Sequence, residues 1–394
     1  MNHRKIAAVI ASALVLSTAP AAVALGAEVS QNGMHAQFGT NGKIKPTRGD
    51  DTLTGNNSTN AISGWDGNDT LKGKGGNDRI QGNTGNDTLY GDTGRDGLFG
   101  QAGNDAIFGG PEADSVQSNE GSDTVYGEAG DDTLDAGPNN DIVYGGDGND
   151  RIGGHTGDDQ IWAGTGDDTV DAYHDNDVVY GEDGRDTING SEGDDVVYGG
   201  LGDDNRADTS GRVGKRGRPG PGGLLGGPGN DRVYGEDGND HVSGADGNDT
   251  VDGGPGNDEL DGDAGADTLV DGDGDDIITG DEGPDMLYVG FGADRVFPEE
   301  DSDTIYLFAD GSVDVIRCDD TDDTAGVASQ GTNDQVIYIG AQDRLDVIWP
   351  TCDVVTTVAE PPAGWPYGPV VSTRTTPAGD WNLRARGGVL QTWH

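Results

Sequence analysis

An aspartate stands at Asp69 and at every ninth position after it: Asp78, Asp87, Asp96, Asp105, Asp114, Asp123, Asp132, Asp141, Asp150, Asp159, Asp168, Asp177, Asp186, Asp195 and Asp204. Asp51 lies two periods upstream, with Asn60 in the slot between. The register resumes at Asp231 and runs through Asp240, Asp249, Asp258, Asp267, Asp276, Asp285, Asp294 and Asp303. Some units carry a second aspartate three residues earlier, for example Asp66, Asp147, Asp183, Asp237 and Asp246. Carboxylates at such spacing, set among main-chain carbonyls, are hard oxygen donors. Calcium takes roughly six to eight of these in a flexible shell, whereas magnesium demands a tight octahedron and keeps its water. Zinc needs a cluster of His and Cys, and the six His and two Cys are scattered. Paired carboxylates also serve glycoside hydrolysis. Carboxylates that recur every nine residues fit one cation per turn better than one catalytic centre.

The elements that must position these acids follow from the same period. Two residues after each Asp comes an aliphatic side chain, such as Leu71, Ile80, Leu89, Ile107 or Val125, with Arg206 as the first exception. Two residues before it there is usually glycine, as at Gly67, Gly76 and Gly85. The x-aliphatic-x triplet predicts a short strand whose middle residue points inward. The Gly-rich sextet predicts a turn with positive φ and close backbone approach, which Asn and Asp also tolerate. Two units then make one coil of 18 residues, with a strand on each of two facing sheets. The expected fold is all-β: a parallel β-roll, about 14 coils and roughly 70 Å long at ~4.8 Å per coil. Its aliphatic core is thin, so the turns must contribute to stability.

The run Gly145-Gly146-Asp147-Gly148-Asn149-Asp150-Arg151-Ile152-Gly153 follows the pattern G-G-x-G-x-D-x-U-x. In this the chain resembles the RTX-type (repeats-in-toxin) calcium-binding proteins. The resemblance spans residues 49–204 and 229–308. It implies multiple calcium ions held by the sixth-position aspartates and their turns. Glu112, Asn139, Asp175 and Asp301 replace the turn glycine before Asp114, Asp141, Asp177 and Asp303, and these units are expected to be weaker. The candidate ligands are therefore Asp51, the runs Asp69 to Asp195 and Asp231 to Asp294 without Asp114, Asp141 and Asp177, and the five earlier-placed acids. Many such proteins leave the cell by a C-terminal signal, whereas this chain carries an N-terminal one.

That signal comprises Arg4 and Lys5, an apolar run from Ile6 to about Leu16, and Ala22-Val23-Ala24 as a cleavage site. Residues 1–27 read as a secretory signal peptide and 28–48 as a leader, and no other segment is suited to span a bilayer. A secreted, extracellular or cell-surface protein is expected. Asp plus Glu number 73 against 23 Lys plus Arg, a net charge of −50. This argues against nucleic acid or anionic membrane as a partner and for divalent cations. Cys318 and Cys352, an even pair in an exported chain, are expected to form a disulfide. Residues 205–228, rich in Gly and Arg, read as a surface excursion. Residues 309–356 read as a cap pinned by the disulfide, and 357–394 as a linker and tail bearing Trp365, Trp381 and Trp393.

The residue after each inward aliphatic points outward. Read every 18 residues it gives Tyr90, Phe108, Tyr126, Tyr144, Trp162, Tyr180 and Tyr198. Arg216 is expected to break the column, Tyr234 to resume it and Asp252 to break it again, before Val270, Tyr288 and Tyr306. The strip is either a ladder that stabilises the roll or a contact face for self-association, the tail, another protein or a glycan. There is no H-E-x-x-H or G-x-S-x-G motif, and no enzyme is expected. The reading is a secreted calcium-binding repeat protein, structural or surface-associated. The alternatives are a calcium-dependent binding module and, third, a hydrolase with an unrecognised site.

Overall fold

The computed structural model describes residues 28–30, 37–38, 44–204, 223–318, 334–339, 346–350, 352 and 354–358. The expected signal peptide and the tail beyond residue 358 lie outside these. Among the described residues no helix is long and apolar enough to cross a membrane.

The chain winds as a parallel β-solenoid. One sheet has seventeen strands and the sheet facing it fifteen. Successive strands of a sheet pair in parallel, 18 residues apart through the array, as in Val125↔Val143 and Leu134↔Ile152. Burial alternates along each strand, as in Thr88–Thr93 and Ile142–Asp147. Leu71, Ile80, Leu89, Leu98, Ile107 and Val125 are fully enclosed between the sheets. The core is a single file of aliphatic side chains from each sheet. The strands run six residues rather than the three expected, as in Thr70–Gly75. They continue into the turn because the glycine following each triplet, such as Gly73, also faces inward and has no side chain to displace its neighbours. The next residue then turns the chain, with Lys74 at φ 79°.

Both ends of the roll are built from added strands. Glu28–Ser30 lies antiparallel on Thr52–Thr54 and covers the first edge of the larger sheet, where open main-chain groups would invite another chain. At the other end the roll closes by extending itself. Val315–Ile316 and Val347–Ile348 continue one sheet, and Gln335–Ile339 and Val354–Val358 continue the other. The Cys318–Cys352 disulfide ties these last coils together, with Cα atoms 5.0 Å apart and Cys318 buried.

The expected break at Arg216 does not occur. Tyr198 pairs directly with Tyr234 in the sheet, and Ile188 with Leu224 on the facing sheet. Each pairing steps 36 residues, two periods of the coil, where the ladder advances one step. Residues 205–222, which lie outside the described residues, are thus skipped by both ladders. They number one whole coil, so every residue downstream keeps its phase. The aromatic column is continuous from Tyr90 to Tyr234 in consequence. Its ring centroids are 4.8–5.3 Å apart and its ring planes within 1–14° of parallel. Lys72 Nζ sits 4.2 Å from the Tyr90 centroid and closes one end by a cation–π contact. Asp252 follows Tyr234 and ends the column, and Tyr288 stacks on Tyr306 beyond it. The rings spend their faces on one another and are half-buried rather than exposed.

Candidate metal centre

The sixth-position aspartates do not hang from the turns into solvent. They point inward and line both edges of the coil, each at most 5% exposed from Asp69 to Asp303. One carboxylate oxygen of each is used structurally. Asp150 Oδ1 accepts a hydrogen bond from the Asp132 amide, 2.8 Å away, while the Asp150 amide donates to Asp168 Oδ1 at 2.7 Å. The same step joins Asp195 to Asp231 and Asp204 to Asp240 across the skipped coil. The result is a ladder of carboxylates along each edge, two periods of the repeat per rung.

The second oxygen has a different fate. Oδ2 of every sixth-position aspartate from Asp69 to Asp303 is buried without a hydrogen-bond partner. A buried, unpaired polar oxygen is costly, and a buried unpaired charge far more so. Burial is accordingly the main cause that raises these carboxyl pKa values. The amide hydrogen bond opposes the rise, and in many units neighbouring aspartates reinforce it. Asp141 is pushed up to about 9, Asp105 and Asp132 to about 8, and Asp150 to about 6. The orphan oxygens face a space that the sequence keeps clear. A Cβ added to Gly262 would stand 2.7 Å from the Gly280 carbonyl oxygen and 2.9 Å from Asp267 Oδ2. The same oxygens, an Asp carboxylate and the carbonyl of the next coil, converge at Gly109 and Gly226. Anionic and carbonyl oxygens gathered in a glycine-lined cradle form the donor set that a hard divalent cation takes. The residues present fit calcium.

The turn pattern that decides this fit is matched by sequence as well. The RTX calcium-binding nonapeptide repeat matches residues 47–205 and 225–305, more than half of the chain. This chain belongs to the RTX calcium-binding nonapeptide repeat family. Among solved structures it is similar to the X-ray crystal structure of a hyperactive, Ca2+-dependent, beta-helical antifreeze protein from an Antarctic bacterium. The identity is 20%, the match covers 73% of this chain and 81% of that one, and the TM-score is 0.32. No curated protein matches the chain.

Within this RTX array the structure separates the candidate ligands into a buried ladder, an exposed rim and Asp51. The buried ladder holds Asp69, Asp78, Asp87, Asp96, Asp105, Asp123, Asp132, Asp150, Asp159, Asp168, Asp186, Asp195, Asp231, Asp240, Asp249, Asp258, Asp267, Asp276, Asp285 and Asp294. The earlier-placed acids are not brought to the cradle. Asp66, Asp147, Asp183, Asp237 and Asp246 are exposed on the rim. Asp66 lies 3.7 Å from Arg48, and Asp147 accepts from Thr165 Oγ1 at 3.2 Å. Asp51 differs again, because its Oδ2 accepts from the Thr47 amide and hydroxyl at 2.7 and 3.0 Å.

Several ladder residues lie outside the candidate ligand set. Asp114, Asp141, Asp177, Asp204 and Asp303 have the same burial and the same orphan Oδ2 as the others. The substitutions that mark four of these units as weaker leave the backbone intact. Glu112, Asn139, Asp175 and Asp301 adopt φ of 74–83° where glycine is usual. The ladder also continues beyond Asp303. Asp314, Asp334 and Asp346 accept the amides of Asp294, Asp303 and Asp314 at separations of 20, 31 and 32 residues. Period alone could not find them, but each stands two residues before an aliphatic, Ile316, Val336 and Ile348. In many units the residue before the ladder Asp forms a second, outer ladder. The amides of Asn86, Asn149 and Asn248 donate to Oδ1 of Asn68, Asp131 and Asn230 at 2.8–3.1 Å.

Asp150→Ala is expected to raise the calcium concentration needed for folding several-fold. It removes one cradle oxygen and leaves the buried Asp132 amide without its acceptor, a loss of about 1–3 kcal/mol. Asp51→Ala touches only the partly exposed first turn and is expected to shift the midpoint little. A calcium titration followed by circular dichroism checks the pair, and equal shifts would contradict the stacked ladder.

Proposed function

We propose that this RTX protein is exported as a soluble chain and folds outside the cell on meeting calcium, forming a stiff structural or surface-associated rod. The row of buried, unpartnered Oδ2 atoms supports this reading, because it makes the fold conditional on a cation. Low calcium inside the cell keeps the chain unfolded and competent for export, and higher calcium outside neutralises the ladders and closes the coils. The basic and apolar residues Arg4 to Leu16 direct the export. The aromatic column adds stiffness along one face. Its rings are stacked on one another, which leaves a sugar little ring face to stack on and favours a ladder over a glycan site. Recovery of the protein from culture medium, with its N-terminus read by mass spectrometry, tests the proposal. The expected product begins within residues 25–28 and is β-rich in calcium. Retention inside the cell with Met1 intact would overturn it.

A further inference from the structure

The position that lines the cradle, five residues before the ladder Asp, is glycine in most units and Ser118, Ala136, Ala163, Ala172, Val289 or Pro298 in a few. Among the described units only one places a carboxylate there, Asp271. It is fully buried. Its Oδ1 accepts from the Gly272 and Gly290 amides, both at 2.7 Å, which fixes the side chain inside the edge of the coil. Asp271, Asp276 and Asp294 each bring a carboxylate oxygen within 4.8 Å of the other two. Asp276 and Asp294 are each 1% exposed. Their Oδ1 atoms are taken by the Asp258 and Asp276 amides, while their Oδ2 atoms have no hydrogen-bond partner. Three carboxylates, enclosed together and held by main-chain amides, cannot all stay ionised without a counter-charge.

We infer that Asp271, Asp276 and Asp294 form a distinct calcium site, the tightest in the roll. The inference rests on the calcium reading of the array and adds one site to it. An ordinary cradle supplies main-chain carbonyls and ladder aspartates. This one adds a third enclosed anion already locked in place, and calcium affinity rises with ligand charge and rigidity. The affinity is expected to exceed that of the other cradles by roughly tenfold or more. The coils toward the C-terminal end of the array would then hold an ion at calcium concentrations where the rest of the array has released its own. Folding can start from that end and propagate, since each coil of a solenoid contacts only its neighbours.

The test is equilibrium dialysis of the full-length protein against buffers of graded free calcium, with bound calcium measured by elemental analysis. The wild type is expected to keep one equivalent after the others have left. Asp271→Gly restores the residue usual in the repeat, so folding in millimolar calcium should survive, as circular dichroism would verify. That variant should lose the tight equivalent, and Asp271→Asn should weaken it roughly tenfold. A tight equivalent that persists in Asp271→Gly would overturn the site. So would an extra ion in that variant, because it would mean that the Asp271 carboxylate fills the cradle in place of a cation. If neither protein binds calcium at all, the reading of the whole array falls, an outcome distinct from loss of this one site.

Discussion

Withdrawing calcium from the folded protein is expected to abolish most of its β-sheet signal in a single steep transition. Along each edge the ladder aspartates repeat at the spacing of the coils, with at most 5% of each residue open to water. Without a cation, like charges at that range repel in a poorly screened setting, and the chain as a whole carries −50. The opposing force is small, because the core is one file of aliphatic side chains per sheet. Each ion bound only by the native state contributes about 2.7 kcal/mol at one hundred times its dissociation constant. Contributions from neighbouring coils add along a solenoid. Their sum decides whether the rod exists. Far-ultraviolet circular dichroism and small-angle scattering in millimolar calcium and in excess chelator would measure this. An unchanged spectrum in chelator would sink the calcium-dependent fold.

The second large effect is a reversal of pH dependence. In the calcium-free fold, burial raises the ladder carboxyls from 3.8 to about 6 for Asp87, about 7 for Asp159 and about 9 for Asp141. An aspartate with a raised native pKa binds more protons folded than unfolded. Stability then falls as pH rises through the window between the two values. The destabilisation is complete above about pH 9 and is relieved as pH drops toward 4. Acid should therefore compact the calcium-free chain. With calcium present the sign inverts, because protons compete with the ion for the same oxygens. The calcium midpoint should rise as pH falls from 8 to 5. Titrating calcium-stripped protein from pH 8 to 5 and following β-structure checks the first arm. A chain that stays unfolded throughout would show that the ladders do not govern folding.

The architecture was legible because period and chemistry coincide over most of the chain. Asp at one position and an aliphatic two residues on fix which side chains face inward, and the parallel register follows. The buried orientation of the carboxylates was harder to read. Spacing places Asp66 and Asp69 in the same turn but cannot tell which one turns into the coil. The answer lies in the amide of Asp51, which takes up Asp69 Oδ1 at 2.7 Å from the neighbouring coil. The units with Glu112 or Asn139, expected to be weaker, keep the same ladder geometry for a related reason. Those residues tolerate the left-handed backbone that the turn requires, so the missing glycine did not alter the ladder. Beyond Asp303 the connections lengthen, and a rule built on equal steps had nothing left to count.

The direct stacking of Tyr198 on Tyr234 has a bearing on how such a rod can change length. The two faces are not equivalent: one carries the ring column, while the other, apart from Phe99 and Phe297, carries residues such as Gln81, Gln117 and Asp135 at the matching place. Gain or loss of a single nine-residue unit would send every downstream ring to the opposite face and break the column at the junction. Gain or loss of two units leaves the faces as they were. Residues 205–222 amount to two units. Among descendants of this chain, array lengths that differ by even numbers of units should outnumber those that differ by odd numbers. The rod inherits length in steps of two, and the aromatic face acts as its parity check.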